Sequence, residues 1–210
     1  MQAKIDSGKQ QPDRTFTETA RRAQIVDAAI EVIAEQGYAN VSFAKIAKQA
    51  GLSSTGMISY HFRGKGDLMR EVVGRIMATA AEYVGAKLDA EQGYRGRMAA
   101  FFGANLALAD EYPKHVRALS NIVANAGTDD PHLFGLLDQL GSVQAAQVEI
   151  LRAGQREGVF RDFDPVVMIT AIRGSLDAAI ARAAHDPGFD TAVAARELAE
   201  LFDRATRKDA

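Results

Sequence analysis

Between Ser53 and Lys65 the chain gathers Ser53, Ser54, Thr55, Gly56, Ser59, Tyr60, His61 and Lys65. Short hydroxyl side chains and a glycine allow close approach to another molecule and exchange hydrogen bonds with it. A phenol, an imidazole and an ammonium are good partners for phosphate oxygens. These residue types therefore suit the face of a nucleic acid. Charge agrees locally: the whole chain carries a net −2, yet residues 41–75 hold 6 Lys/Arg against 2 Asp/Glu. Residues 76–210 reverse the balance, with 14 against 19. A basic patch at one end of a mildly acidic chain suits contact with a polyanion at that end. A solvated charged face explains the same counts.

Other chemistries find little support. Cysteine is absent, which removes disulfides, thiolate catalysis and Cys-based zinc sites. His61, His115, His132 and His185 show no metal-ligand spacing. No Gly-rich phosphate loop follows a strand, and no nucleophile–base arrangement stands out, so an enzyme is not expected and no cofactor is called for. At 210 residues, 47% hydrophobic and 25% charged, the composition is that of an ordinary globular protein. No window has the unbroken apolar run of a membrane span, and the polar first residues lack the apolar core of a secretory signal. A cytoplasmic protein without membrane contact is the simplest expectation.

The elements that must position these residues read as helices throughout, with no sustained alternation that would make a strand. A first helix over residues 17–36 carries Ile25, Ala28, Ala29, Val32 and Ile33 on one stripe. Thr15 and Glu18 have capping-box spacing, and Gly37 is a left-handed stop. Ser42 is a good N-cap for a short second helix, with Val41 and Ile46 placed as a hydrophobic staple. Phe43, Ile46, Ala47 and Ala50 are expected to face inward, and Gly51 to close the helix. After Leu52 and a serine-rich turn, a third short helix spans residues 55–62, with Ile58 and Phe62 as its core pair. A fourth starts at Gly64-Lys65, with Asp67 near its N-terminus, and runs towards Leu88. Further helices are expected at 94–110, 113–125, 131–157, 165–184 and 190–206. Asp130-Pro131 and Asp164-Pro165 each place a cap before a proline.

Two short helices joined by a glycine-containing turn and packed on a longer one make a helix-turn-helix. In that arrangement the second short helix lies in the major groove. On spacing alone, a plain helical hairpin with a polar turn explains the pattern equally well. The stretch RAQIVDAAIEVIAEQGYANVSFAKIAKQAGLSSTGMISYHFRGKGDLM, over about residues 21–69, decides between them. Its R-x-x-I-x-x-A-A helix, G-Y turn, I-A-x-x-A-G helix and Y-H-F-x-x-K-x-x-L segment resemble the N-terminal domain of TetR-family regulators.

The resemblance implies an all-α fold. A three-helix DNA-binding domain over residues 15–63 would join, through the fourth helix, a larger effector-binding and dimerisation domain over residues 64–210. Residues 1–14 would form a flexible tail. It implies that Ser42 contacts phosphate, that Thr55, Gly56 and Met57 read bases with Ser54 beside them, and that Ser59, Tyr60 and His61 grip the backbone. Lys65 would hold phosphate at a helix start. Arg21 and Arg22 are further candidates for phosphate or minor groove. Two features depart from the family. The Gly51–Gly56 turn is one residue longer than the commonest pattern, which leaves the register at Ser53 and Ser54 open. Met57 stands where many members carry threonine.

By the same resemblance the C-terminal part binds a small molecule and forms a homodimer through its last two helices. Ala171, Gly174, Ser175, Ala178 and Arg182 form a small-residue stripe, and Val193, Ala194, Leu198, Leu201, Phe202 and Ala205 supply the second face. Candidate effector contacts are Phe102, Asn105, His115, Asn121, Asn125, Arg173 and Asp177, with Tyr83, Met98 and Phe101 as possible cavity walls. Aromatic and Met residues at helical spacing more often build core than pocket. The expected function is a regulator, most simply a repressor released from a palindromic double-stranded DNA operator by a small molecule. A helical partner-binding or scaffold protein without DNA contact is the alternative.

Overall fold

A computed structural model describes residues 16–125 and 131–208, the side chains of residues 131–143 excepted. The expected tail, Thr15, Asp130 and the side chain of His132 lie outside the described residues. The described chain is all α: α1 (Phe16–Gln36), a 3-10 turn at Tyr38–Asn40, α2 (Phe43–Gln49), α3 (Gly56–His61), α4 (Lys65–Asp89), α5 (Gly93–Glu111), α6 (Pro113–Ala124), α7 (Pro131–Arg156), α8 (Pro165–His185) and α9 (Thr191–Thr206).

Local signals set the ends of these helices. Gly37 ends α1 at φ 79°, a conformation that β-carbon contacts deny to most residues. The Ser42 hydroxyl accepts from the Lys45 N–H at 3.4 Å and caps α2. Gly51, at φ 64°, then turns the chain out of it. Asp164 accepts from the N–H groups of Val166 and Val167 at 2.8 and 3.1 Å ahead of Pro165, and Asp190 accepts from Val193 at 2.9 Å to open α9. At the start of α4, where Gly64 offers no side chain, Asp67 reaches back to the Arg63 N–H at 3.1 Å.

Three apolar clusters hold the helices together. The first joins α1, α2, α3 and the N-terminal half of α4 around Ile25, Ile33, Ile46, Ile58, Phe62 and Leu68, and it takes in Ala118 and Ile122 of α6. Phe43 and Leu52 pack at its edge, half-buried. A second cluster unites α5, α7, α8 and α9, with Phe102 stacked on Phe202 at 5.5 Å between ring centres. A small third, with Val84, Ala104, Leu108 and Val116, spans α4, α5 and α6. Both α4 and α6 therefore run from the N-terminal helices into the C-terminal ones, and α6 was not foreseen in that role.

Beyond the helices, Arg161 donates its N–H to the Thr206 carbonyl at 2.9 Å and its Nε to the Ala205 carbonyl at 2.7 Å. These bonds fasten the end of α9 to the segment after α7. No helix among the described residues is long and apolar enough to cross a membrane.

Candidate nucleic-acid interface

The hydroxyl and aromatic set of the sequence stays on the surface. Ser42, Ser53, Ser54, Thr55, Gly56 and Ser59 are exposed, and Tyr60 is 75% exposed. Tyr60 is therefore not part of the core. Ile58 and Phe62, from the same helix, are buried. Helix periodicity explains the split: one face of α3 completes the core and the opposite face turns out. Met57 is half-buried, which leaves part of its thioether side chain available for apolar contact.

The hydrogen bonds fix where these groups can act. Thr55 precedes the first turn of α3 without a side-chain cap bond. Ser59 Oγ donates to the Thr55 carbonyl at 3.4 Å. Ser42 accepts from Lys45, so its O–H is left to donate to a phosphate. Tyr60 meets His61 edge-to-face at 5.0 Å, and its hydroxyl donates to Glu18 Oε1 at 3.3 Å.

Lys65, half-buried at the start of α4, holds its Nζ 4.4 Å over the Tyr38 ring. Tyr38 is buried and lies in the turn that leads directly to Ser42. The Nζ of Lys45 donates to the Asn40 carbonyl of the same turn at 2.9 Å. Of the two residues expected to take phosphate, Lys65 thus packs on this short turn and Ser42 follows it directly in sequence. Burial pushes the Asp67 carboxyl up, but the Arg63 N–H, the Arg70 guanidinium and the charge of Arg22 outweigh it and hold the group below its ordinary value. Asp67 stays ionised and anchors that start of α4.

Arg22 corrects an expectation. Its guanidinium lies 4.2 Å over the Phe62 ring, donates to the His61 carbonyl, and pairs with Glu71 at 2.7 Å. With its side chain only 11% exposed, it is a packing element and not a hand extended to DNA. Arg21 donates to Gln24 at 2.7 Å. Exposed Lys45, Lys48 and Arg63 were not singled out from the sequence; only the local basic count pointed to them.

The residues expected to contact an effector do not line one common recess. Among the described residues a recess opens between the C-terminal end of α4, the start of α5, α7 and α8, with Tyr94, Arg97, Met98, Phe101 and Gln147 in its wall. Met98 and Phe101 are there, whereas none of Phe102, Asn105, His115, Asn121, Asn125, Arg173 and Asp177 lines it. Phe102 is 0% exposed in the core. Asn105 donates to the Phe101 carbonyl at 2.8 Å, within its own helix. Arg173 and Asp177 pair with each other at 2.9 Å. Asn121 donates to the Ile33 carbonyl at 3.2 Å, and Asn125 to the Asn121 carbonyl at 2.7 Å. His115 packs edge-on against Tyr112, and burial lowers its pKa, with Asp27 opposing and Arg75 assisting. Asn121 and His115 therefore belong to the junction of α6 with α1 and α4. At that junction Lys114 also pairs with Glu31 at 2.5 Å, and Arg75 lies 3.6 Å from Asp27.

A short helix-turn-helix, carrying exposed hydroxyls and a clamped lysine on an all-helical body, is the class of structure this fold and site define. Residues 25–72 match the family model "Bacterial regulatory proteins, tetR family". The chain is 40% identical over 73 residues to the fatty acid metabolism regulator protein of Bacillus subtilis, covering 33% of this chain and 37% of the relative. It is 37% identical over 73 residues to the HTH-type transcriptional regulator BetI of Escherichia coli, covering 35% and 37%. The match spans little more than a third of the length of these curated relatives. Among solved structures, fatty acid degradation regulator FadR from Bacillus halodurans superposes with a TM-score of 0.76 at 21% identity, over 93% of this chain and 97% of that one. A protein from Saccharomonospora viridis in complex with choline gives 0.78 at 22% identity, over 91% and 100%. These likenesses establish the fold over nearly the whole chain.

Proposed function

We propose that this protein is a sequence-specific DNA-binding regulator of transcription, acting as a dimeric repressor that a small molecule releases from a palindromic operator. The observation that carries the reading is the exposed hydroxyl face of α3, together with the Lys65 ammonium held over Tyr38 and the exposed Ser42 cap of α2. Thr55, Gly56 and Met57, with Ser54 beside them, read base edges. Ser42, Ser59, Tyr60, His61 and Lys65 hold the backbone.

The exposed faces of α8 and α9 support the dimer. Val167 is 66% and Leu201 56% exposed, on the same helices as exposed Ala171, Gly174, Ala178 and Val193. Small and apolar residues left open on two adjacent helices suit a two-fold four-helix contact. In such a dimer the two α3 helices meet successive major grooves about 34 Å apart. The effector would occupy the recess beside Tyr94 and favour a state whose α3 spacing no longer fits. The continuity of α4 and α6 between the two halves provides the connection.

Fluorescence anisotropy with DNA from upstream of the protein's own gene tests the reading. Salt-sensitive, sequence-selective binding at nanomolar to low-micromolar protein is expected. Tyr60→Ala and Lys65→Ala should weaken it while circular dichroism and dimer mass stay unchanged. Binding that ignores sequence, or survives both substitutions, would leave a helical partner-binding protein as the better description.

A further inference from the structure

We propose that the recess between α4, α5, α7 and α8 takes an amphipathic carboxylate, its slender apolar chain held inside and its head group on Arg97. The proposal rests on reading that recess as the effector site and names the ligand class.

The shape comes first. An inner chamber of about 100 Å³ is walled by Leu88, Met98, Phe101, Leu151, Ile169 and Ile172. An outer chamber of about 350 Å³ is bounded by Gly93, Tyr94, Arg97, Ile150 and Ala153. Tyr94, Arg97 and Ile150 border both, so the two are continuous. Apart from Arg97, Gln147 and the Tyr94 hydroxyl the lining is apolar, which suits an alkyl chain.

Charge sets the head group. Among the described lining residues Arg97 alone is charged. Among the described residues the only carboxylate within 4 Å of Arg97 is Asp89, at 3.9 Å, and Asp89 itself is 82% exposed. An ion pair that long and that wet contributes little. The guanidinium is left able to fork a carboxylate bidentately. Glu157, also near the mouth, accepts the Tyr94 hydroxyl at 2.9 Å, which raises that phenol's pKa. A cationic head group would meet Arg97 at the same place and be repelled.

Gln147 Oε1 is buried in the wall of the recess without a hydrogen-bond partner among the described residues. Neither an alkyl chain nor an ionised carboxylate can donate to this acceptor, so water is left to serve it.

Isothermal titration calorimetry of the full chain decides the matter. The probes are decanoate, decyltrimethylammonium with the same chain and opposite charge, and acetate, each below its aggregation threshold. Decanoate should bind saturably, one per chain, with decyltrimethylammonium at least about tenfold weaker and acetate not binding. Arg97→Gln should weaken decanoate by about tenfold and erase the preference over the cation, and Arg97→Lys should restore part of it. Arg97 is half exposed, so both variants are expected to fold, and circular dichroism checks this. Absent decanoate saturation, equal or tighter binding of the cation, or indifference to Arg97→Gln would each overturn the proposal. Decanoate that binds as described but leaves operator anisotropy unchanged would refute the effector reading and uphold the ligand class. Intact operator binding without decanoate binding would overturn the ligand class and leave the DNA-binding reading standing.

Discussion

The guanidinium of Arg22 lies 4.2 Å over the ring of Phe62, joining the second turn of α1 to the residue that ends α3. The same group bonds the His61 carbonyl and Glu71, so one side chain ties α1, α3 and α4 together. Its Nε is buried without a partner among the described residues, which offsets part of the gain. Arg22→Ala should lower unfolding stability by about 2 kcal/mol, through the lost cation–π contact and the stranded carbonyl. Urea denaturation measures this. An unchanged midpoint combined with a shallower salt dependence of DNA binding would make Arg22 a phosphate contact after all.

Lys65 should behave in the opposite way. Lys65→Met keeps an apolar stem over Tyr38 and removes the charge. Stability should hardly move, while the slope of log K against log salt for operator binding should fall by about 0.9, the value of one phosphate contact. Weaker binding at an unchanged slope would assign Lys65 a purely structural part.

The helix caps should rank by geometry. Asp164 serves two N–H groups at 2.8 and 3.1 Å, whereas Ser42 serves one at 3.4 Å. Asp164→Ala is expected to cost about 1–2 kcal/mol and Ser42→Ala about 0.5 kcal/mol, from thermal or urea unfolding. The reverse order would refute the ranking. DNA affinity should instead suffer more from Ser42→Ala.

Gly154 is held small by its neighbour: a β-carbon there would fall 2.4 Å from Phe160 Cδ2. Gly154→Ala should destabilise by about 1–3 kcal/mol through overpacking. In a Phe160→Leu background the same change should cost clearly less, because the two positions share one space. Additive effects in a double-mutant cycle would rule out the clash as the cause.

Acid should weaken the α6 junction. Burial holds His115 below its ordinary value of 6.5, so the folded state prefers the neutral ring. Its contribution is complete above pH 6.5 and is lost as pH falls through the lower folded-state value. Hydrogen bonds from Lys114 and Gln49 hold Glu31 below 4.5, and its contribution disappears at still lower pH. Urea midpoints followed from neutral to acid pH should fall less steeply for His115→Gln than for the unaltered chain over the upper part of that range. Superimposable curves would exclude the histidine.

Much of the fold was legible because helix boundaries are written locally. Gly37, Ser42, Gly51 and the Asp164-Pro165 pair each act on the few residues beside them, and the helices start and stop where those signals stand. The turn after Gly37 was read, but not its 3-10 conformation at Tyr38–Asn40, since three residues carry no periodicity. The polar residues of α6 misled for a related reason. Asn121 bonds the Ile33 carbonyl, 88 positions away in sequence, and nothing near Asn121 tells which helix lies opposite.

For the helix-turn-helix, the sequence by itself determined the element order, the buried face of α3 and the exposed hydroxyl set, because burial follows a periodicity of a few residues. Tertiary structure alone decided that Arg22 is clamped on Phe62, that Lys65 is steadied by Tyr38, and that the recess is bordered by Arg97 and Gln147. Those relationships are made between helices. They depend on the directions in which separate segments cross, which local propensity does not encode.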